Sequence, residues 1–364
     1  MILGALFWEQ RKWKEIMLVN SGRDYKHLNE GKIPVYGTGG YMLSVDKSLS
    51  NIDAIGIGRK GTIDKPQYLS APFWTVDTLF FMTPLKRTNL KFLYALSQNI
   101  NWKKYDESTG LPSLSKTTIN NIVVKLPHNN EQNKIGKLIS QIDNLLILQQ
   151  RKLKQLILFK KGILQRIFKS SSVTQDILRL KEDSIQWKKE RLRDIAKFLN
   201  GRAFKQKELL AKGKYPVVRV GNFYTNDKWY YSNLLLEDNK YLDKGDLLYT
   251  WSATFGPHIW TGNKAIFHYH IWKIDFDKKQ INKVFLYYFL EADKTQLLAN
   301  TNGSTMIHMT KSDMENKVIY LPPVSIQTEL GQMLSKLDNQ IQRRKLKIKL
   351  LTELKQFLLQ NMFI

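Results

Sequence analysis

The stretch NNIVVKLPHNNEQNKIGKLISQIDNLLILQQRKLKQLILFKKGILQRIF (120–168) decides the fold, because the chain carries a second copy of it, MENKVIYLPPVSIQTELGQMLSKLDNQIQRRKLKIKLLTELKQFLLQNMF (314–363). The copies align without a gap at an offset of 195, from Leu126/Leu321 to Phe168/Phe363. Identical pairs include Pro127/Pro322, Gln132/Gln327, Gly136/Gly331, Asp143/Asp338 and Lys160/Lys355. Such a repeat predicts two structural units of one kind.

The beginnings of the two halves also match, at an offset of 179. The aligned pairs include Trp8/Trp187, Ile16/Ile195, Gly22/Gly201, Arg23/Arg202 and Lys26/Lys205. Between these anchors the halves diverge, and IGIGRKGTIDKPQYLSAPFW (55–74) has no convincing counterpart in LLYTWSATFGPHIWTGNKAIF (247–267). A common frame with different middle segments is typical of two binding domains that recognise different partners.

Heptad spacing of apolar residues predicts that each repeated stretch is one long helix. One line of the predicted seam, with a polar break in each copy, holds Ile135, Ile142, Gln149, Leu156 and Ile163, then Leu330, Leu337, Arg344, Leu351 and Leu358. A second line is predicted at Leu138, Leu145 and Phe159, with Met333 and Leu354 in the second copy. We expect the two helices to form an antiparallel coiled coil. The alternative is two amphipathic helices docked on separate domains.

The remaining sequence predicts α+β domains. Short β-branched and aromatic runs such as FWTVDTLFFM (73–82) and HYHIWKIDF (268–276) indicate strands, and they alternate with turn-rich segments. Short helices are expected at 89–100 and 283–298. SSSV (170–173) and the charged stretch after it are expected to connect the first long helix to the second half.

Composition points to an anionic polymer as partner. The 364 residues include 57 Lys and Arg against 32 Asp and Glu, which gives a formal charge of +25. The alternative is a solvated basic surface without a partner. The chain has no cysteine, which excludes disulfide scaffolds and thiol nucleophiles, and no apolar stretch long enough to span a bilayer. The opening MILGALFW (1–8) lacks a signal peptide's basic lead, so we expect a cytoplasmic protein.

A literal G-x-G-x-x-G occurs at Gly56, Gly58 and Gly61. In a dinucleotide site this motif must open a helix, because the helix N-terminus holds the pyrophosphate. TIDKPQYL follows instead, with a proline and no helical period. We therefore expect a glycine-rich hairpin whose Arg59 and Lys60 could reach phosphates or guanine edges.

The sequence gives no reason to assign catalysis or a metal. His268 and His270 lie two apart on a predicted strand, but no third ligand lies at useful spacing, and flanking aromatics favour sheet packing. Serine-hydrolase, zinc-protease, Walker and adenine-methylase Asn-Pro-Pro-aromatic motifs are missing from the sequence. Asp275 and Asp277 fit exposed strand positions better than a catalytic pair.

Basic residues interleaved with aromatics are the stronger signal, since cations hold phosphates and aromatic, Asn or Arg side chains contact bases. The candidates for DNA contact are Arg23, Lys26, Arg59, Lys60, Lys103, Lys104, Lys116, Arg202, Lys205, Arg219, Asn222, Tyr249, Trp251 and Lys311. About half of the aromatic residues in such a set are expected to belong to the core.

Each half resembles a target-recognition domain and conserved helix of the type I restriction–modification specificity subunits. The matching features are an opening Trp followed by a Ser/Asn-Gly turn, TGLPSLSKTTINNIVVKLP (109–127), and the helix start Glu131-Gln132-x-x-Ile135. The second copy departs from this pattern with Ile326 where Glu is usual, which is expected to weaken a helix cap. The segment before Trp8 is also shorter than in many members.

The resemblance implies two target-recognition domains, at 1–130 and 187–325, separated by the paired helices. It places the helices at 131–169 and 326–364, with a linker at 170–186. It further implies a non-catalytic subunit that binds a bipartite, asymmetric DNA target. Two methyltransferase subunits and the restriction subunits would dock on the chain, and S-adenosylmethionine, ATP and Mg²⁺ would belong to those partners.

Two other functions remain open at this point. One is a single-chain DNA methyltransferase, against which the lack of a recognisable cofactor domain argues. The other is a non-specific basic coiled-coil scaffold for DNA.

Overall fold

The computed structural model describes residues 8–85, 88–168, 187–300 and 309–363. It contains two compact units. Unit 1 comprises residues 1–152 together with 344–364, and unit 2 comprises residues 153–343. The expected linker at 170–186 lies outside the described residues. The fold class is α+β, as predicted, with one of the two repeated α+β domains in each unit.

Unit 1 begins with a small α+β domain. Its elements are β1 Glu9–Lys12, α1 Trp13–Ile16, β2 Met17–Ser21, β3 Glu30–Gly37, β4 Gly40–Val45, β5 Ala54–Gly58, β6 Gln67–Leu69, β7 Trp74–Thr75, β8 Leu79–Pro84, α2 Leu90–Asn99, α3 Lys116–Asn121 and β9 Val123–Leu126. One sheet has the strand order β2-β8-β5-β6, a second has β4-β3-β7, and β1 pairs with β9. The Asn89 side chain caps α2 by accepting a hydrogen bond from the Phe92 amide.

The first long helix, α4, spans Asn129–Phe168. Its beginning packs on the domain core through the buried Ile135 and Ile139. A Cβ on Gly136 would lie 2.6 Å from the Phe92 amide nitrogen, so only glycine permits this close approach to α2.

Unit 2 repeats this plan. Its elements are β10 Lys188–Arg191, α5 Leu192–Ile195, β11 Ala196–Asn200, β12 Tyr215–Val218, β13 Tyr230–Ser232, β14 Tyr241–Leu242, β15 Leu247–Thr250, β16 Gly256–Ile259, β17 Ala265–Phe267, β18 Ile271–Phe276, α6 Lys283–Asn300, α7 Lys311–Glu315, β19 Val318–Leu321 and α8 Val324–Met362. Its sheets have the orders β11-β18-β15-β16 and β13-β12-β17-β14, and β10 pairs with β19. The predicted helices at 89–100 and 283–298 correspond to α2 and α6.

A buried glutamine fixes the start of each long helix in the same way. Gln132 accepts a hydrogen bond from the Asn89 amide and donates one to the Pro127 carbonyl. Gln327 accepts from the Asn282 amide and donates to the Pro322 carbonyl. Ile326 therefore leaves this second attachment intact, because Gln327 makes it.

Segments of the two long helices pair antiparallel inside each unit. In unit 1, Lys355 Nζ lies 2.6 Å from an Asp143 carboxylate oxygen, and Arg344 bonds to Gln149. In unit 2, Lys160 Nζ lies 2.7 Å from Asp338. Residues further along α4 contact residues nearer the start of α8, as the predicted antiparallel coiled coil requires. Each helix also packs on a domain core, so pairing and docking occur together.

The ten residues predicted for the first seam line are all buried or half-buried. The second predicted line is wrong at most positions, since Leu138, Phe159, Met333 and Leu354 are 40%, 58%, 39% and 46% exposed. The observed second line lies four residues after the first and consists of Ile139, Leu146, Leu153, Lys160 and Ile167, then Leu334, Ile341, Ile348, Lys355 and Met362. Apolar residues occur both three and four positions after members of the first line. Which of the two is covered depends on contact with the partner helix.

Across the described residues, the structure contains no helix that is long and apolar enough to cross a bilayer.

Candidate nucleic-acid interface

In each unit a short crossover segment leads from one sheet to the other. We use this name for Thr75–Thr78 in unit 1 and Phe267–His270 in unit 2. In unit 1, the Thr75 carbonyl accepts a hydrogen bond from the Arg23 amide at 2.9 Å, and the Thr78 carbonyl accepts one from the Arg59 amide at 2.8 Å. The crossover segment therefore brings these two candidate arginines to one place.

The crossover segment of unit 2 gathers its candidates similarly. The Phe267 carbonyl accepts from the Arg202 amide at 3.0 Å, and the His270 carbonyl accepts from the Trp251 amide at 3.2 Å. The His268 amide donates to Val218, the residue before Arg219. Arg202, Arg219 and Trp251 are thus brought together by one segment.

The Ser/Asn-Gly turn of each half has a steric reason at this site. A Cβ on Gly22 would lie 1.9 Å from the Val76 carbonyl oxygen, and one on Gly201 would lie 2.3 Å from the Phe267 carbonyl oxygen. Any side chain there would force the following arginine, Arg23 or Arg202, away from the crossover segment.

The glycine-rich motif forms a hairpin, as predicted, and not a dinucleotide site. β5 pairs antiparallel with β6, and no helix follows the glycines in this described stretch. Gly61 has a φ of 86°, and a Cβ on Gly58 would lie 2.1 Å from the Thr62 carbonyl oxygen. The tight turn leaves Arg59 and Lys60 exposed at its edge.

Cations cluster around this hairpin in unit 1. The Arg59 guanidinium and the Lys116 ammonium lie 5.9 and 6.0 Å from the centre of the Phe80 ring. Lys60 forms a backbone bridge with Ser113. Lys103 pairs with Asp64 of the hairpin at 3.0 Å, which partly neutralises its charge.

Other candidates of unit 1 are exposed but are held by fewer contacts. Lys104 lies on the 3-10 turn Trp102–Tyr105, and the Lys26 amide bonds to the Asp24 side chain. Both remain available for phosphate contacts.

In unit 2 several candidates contact aromatic rings. Arg202 lies over Phe204 at 5.6 Å and pairs with Glu208 at 2.8 Å. Arg219 lies over Tyr230 at 5.5 Å. Lys205 is exposed, while its amide donates to the Glu208 carboxylate. The two guanidinium groups are thus held by ring and carboxylate contacts, whereas the Lys205 side chain is exposed.

Two candidates, Tyr249 and Asn222, have surroundings that differ from the prediction, whereas Lys311 is exposed. Tyr249 is 0% exposed and lies in the core beside Trp272, so it cannot contact DNA, and burial raises the pKa of its hydroxyl. Asn222 uses its side chain to hold its own loop, accepting from the Arg219 amide and donating to Asn226 and Lys228. Lys311, exposed at the start of α7, pairs with Glu315 at 3.5 Å.

His268 and His270 lie in the crossover segment of unit 2, and the prediction that they lie on one strand is wrong. His268, Tyr269 and His270 form the turn before β18, and the two imidazole centres are 4.8 Å apart. Burial, with His270 and Arg219 nearby, lowers the pKa of His268 to about 4. No group of three potential metal ligands occurs among the described side chains. The turn was missed as part of the interface because a strand pattern continues directly after it.

Comparison with known proteins adds the decisive observation. The family model for the type I restriction modification DNA specificity domain matches residues 7–158 and again residues 184–353. The chain belongs to this family.

Named relatives of this specificity family cover most or part of the chain. The type I restriction enzyme MjaVIII specificity subunit of Methanocaldococcus jannaschii is 26% identical over 319 residues, which are 80% of this chain and 71% of that protein. The EcoBI specificity subunit of Escherichia coli is 26% identical over 164 residues, 44% of this chain and 34% of its own length. The duplicated family match confirms the predicted identity of both halves.

Solved structures support the fold of the specificity family. The type I restriction–modification S subunit from M. genitalium aligns with a TM-score of 0.74 at 16% identity, over 100% of this chain and 98% of that one. A structure described as showing complex assembly and conformational transition of a type I system aligns with a TM-score of 0.57 over 97% of both chains.

Proposed function

We propose that the chain recognises a bipartite, asymmetric DNA target. In each unit, the surface around the crossover segment contacts one half-site. The observation that carries this proposal is a shared set of backbone hydrogen bonds. The amides of Arg23 and Arg59 bond to the crossover segment of unit 1, and those of Arg202 and Trp251 bond to that of unit 2. Specificity for DNA follows from the family, whose members recognise the target of a type I restriction–modification complex. Recognition and not catalysis is the role of this family, in agreement with the sequence prediction.

The two half-sites should differ because the two faces differ chemically. The face of unit 1 carries Arg59, Lys60 and Lys116 around a buried phenylalanine ring. The face of unit 2 combines Arg219 with the aromatic Trp251 and the His268–His270 turn. Cations favour phosphates and guanine, whereas aromatic faces favour apolar contacts or stacking.

The helices offer a surface for the methyltransferase subunits. In unit 1 the helices expose Ile147 at 63%, Leu350 at 55% and Phe357 at 60%, and in unit 2 they expose Leu158 at 57%. Large exposed apolar side chains are typical of protein interfaces. Two methyltransferase subunits would dock there and restriction subunits would join them. These partners would carry S-adenosylmethionine, ATP and Mg²⁺, in the cytoplasm where the chromosome lies.

A domain exchange tests the bipartite target. Residues 31–110 are replaced by the equivalent region of a relative, and the hybrid is produced with its methyltransferase partner. Sequencing of methylated bases in the host should show one changed half-site and one unchanged half-site. A change in both halves, or methylation without any sequence motif, would contradict two independent recognition units.

The alternatives are tested on the same chain. A single-chain methyltransferase would bind S-adenosylmethionine in isolation, which an equilibrium binding measurement detects. A non-specific scaffold would enrich no sequence from a pool of random duplexes, whereas a specificity subunit in its complex should enrich one two-part motif.

A further inference from the structure

The divergent middle segments of the two halves have an equivalent backbone. In unit 1, Ile57 of β5 lies opposite Phe80 of β8, and Phe80 lies opposite Ser21 of β2. In unit 2, Tyr249 of β15 lies opposite Trp272 of β18, which lies opposite Asn200 of β11. Counting from these registers, positions 57 and 249 are equivalent, and so are positions 80 and 272.

Arg59 and Trp251 therefore occupy one position, two residues further along. Their amides make the same bond to the crossover segment, with Thr78 O and His270 O as acceptors. Each side chain also lies over the same central ring, with Arg59 over Phe80 and Trp251 stacked on Trp272 at 5.6 Å and 19°. The backbone position and the supporting ring agree, while the side chains differ in chemistry.

In unit 1 this position presents hydrogen-bond donors. Arg59 is exposed, and its backbone is held on both sides, since its amide donates to Thr78 and its carbonyl accepts from Leu114 at 3.0 Å. No carboxylate of the described residues pairs with its guanidinium. An unpaired guanidinium on a backbone held in this way can donate two parallel hydrogen bonds, and guanine O6 and N7 are the base acceptors that match this geometry.

In unit 2 the same position presents only a ring. The Trp251 indole nitrogen donates to the Tyr269 carbonyl at 3.0 Å, so its one donor is committed. His270 contacts the indole edge-on at 5.1 Å and Trp272 covers one face. The half-buried ring leaves apolar surface at the crossover segment. In the major groove the apolar group on base edges is the thymine methyl.

We infer that Arg59 and Trp251 are equivalent specificity-determining residues, Arg59 for a guanine in the first half-site and Trp251 for a thymine in the second. This inference rests on the proposed function. Because the two residues occupy equivalent backbone positions, the same position of the repeated domain gives a different base preference in each unit.

The test uses the chain in complex with its methyltransferase partner and a pool of duplexes randomised over both half-sites. R59K keeps the charge but removes the bidentate donor pair. We expect it to reduce discrimination for one guanine position by about 5- to 150-fold, the range for one bidentate contact, with the second half-site unchanged. R11K, at an exposed arginine paired with Glu9, is the matched control and should leave both half-sites unchanged.

The reciprocal variant W251R tests the equivalence itself. Trp272 would support the new guanidinium as Phe80 supports Arg59, so the thymine preference at one position of the second half-site should change to guanine. W251F, which retains an aromatic ring, should keep thymine with weaker discrimination. The unchanged first half-site serves as the internal check that each variant is folded.

Two results would overturn the inference and leave the proposed function standing. In one, R59K and W251R return the original two-part motif. In the other, R59K weakens all sequences equally, which identifies Arg59 as a phosphate contact. If the unaltered complex selects no motif, the proposed function itself fails.

Discussion

Gln149 and Arg344 hold the same position in the two repeats, and the Arg344 guanidinium donates a hydrogen bond to the Gln149 side-chain oxygen. In an antiparallel pair of repeated helices, a position meets its own copy only where the two helices cross at equivalent points. Identical residues there would place two arginines or two glutamines together. The chain has one of each, so a cation meets a neutral acceptor.

The variant Q149R should destabilise unit 1, because two guanidinium groups would then share a half-buried site. We expect the free energy of unfolding to fall by about 1–3 kcal/mol, measured by chemical denaturation of the full chain. The exchange Q149R/R344Q restores one arginine and one glutamine and should recover most of the loss. An exchange variant no more stable than Q149R would show that the pair does not interact.

The ion pairs Lys355–Asp143 and Lys160–Asp338 are also equivalent, at 2.6 and 2.7 Å with lysines only 17% and 12% exposed. K355M should cost about 1–3 kcal/mol, since it leaves a largely covered carboxylate without its partner. K349M breaks the exposed pair with Glu353 and should change stability by less than about 0.5 kcal/mol. Equal effects of the two substitutions on the denaturation midpoint would contradict the importance of burial.

The end of α8 should stabilise unit 1 through Phe363, which contacts Trp8 and Phe92 with ring centres 6.2 and 5.5 Å apart. F363A should lower the free energy of unfolding by about 2–4 kcal/mol. F357A removes the same side chain from a position that is 60% exposed and should be nearly neutral. Thermal unfolding of both variants measures the difference, and a neutral F363A would mean that the helix end is not docked in solution.

His258 predicts a pH dependence in unit 2. Burial, with Lys294 nearby, lowers the pKa of this imidazole from 6.5 to about 4. The fold thus favours the neutral ring, and the unfolded chain binds the proton first. The His258 contribution to stability is complete above about pH 6.5 and is lost as the pH falls towards 4.

This loss is on the order of 3 kcal/mol at 1.36 kcal/mol per pKa unit. Denaturation of H258Q between pH 7 and 4 should therefore show a shallower decline than the unaltered chain. H128Q, at an exposed histidine, is the control and should follow the unaltered curve. Parallel curves for H258Q and the unaltered chain would refute the assignment.

Binding of the complex to its target should weaken steeply with salt. Each phosphate neutralised contributes about −0.9 to the slope of log K against log salt. K60Q and K116Q should each make that slope less steep by up to about 0.9, whereas K349Q on the helix should not. Affinities measured across a salt series test this prediction. Identical slopes for all variants would show that Lys60 and Lys116 do not contact DNA phosphates.

The sequence predicts the repeat, the long helices and one seam line, because those features depend on residue spacing. It fails for the second line, where Lys160 lies in the seam and Phe159 is 58% exposed. Residue patterning treats lysine as exposed, but Asp338 on the partner helix supplies its counter-charge. Because the two residues of this pair are far apart in the sequence, the residue pattern around Lys160 does not reveal it.

The site was partly predictable for a related reason. Glycines and exposed cations marked the hairpin of unit 1. All four residues of β15 are buried, so no alternation of apolar and polar residues separates Tyr249 in the core from Trp251 at the site. The equivalence of Arg59 and Trp251 is fixed by backbone hydrogen bonds, which side-chain similarity does not record.

The composition of unit 1 has a consequence for synthesis of the protein. Its domain is translated early, but residues 344–363 that complete its apolar surface come only after the 191 residues of 153–343. At ~5–20 residues per second the ribosome takes roughly 10–40 s to supply them. During that interval Trp8 and Phe92 lack the cover of Phe363, so the nascent chain should be a substrate for chaperones. A prematurely terminated product would keep that surface exposed and be open to proteolysis.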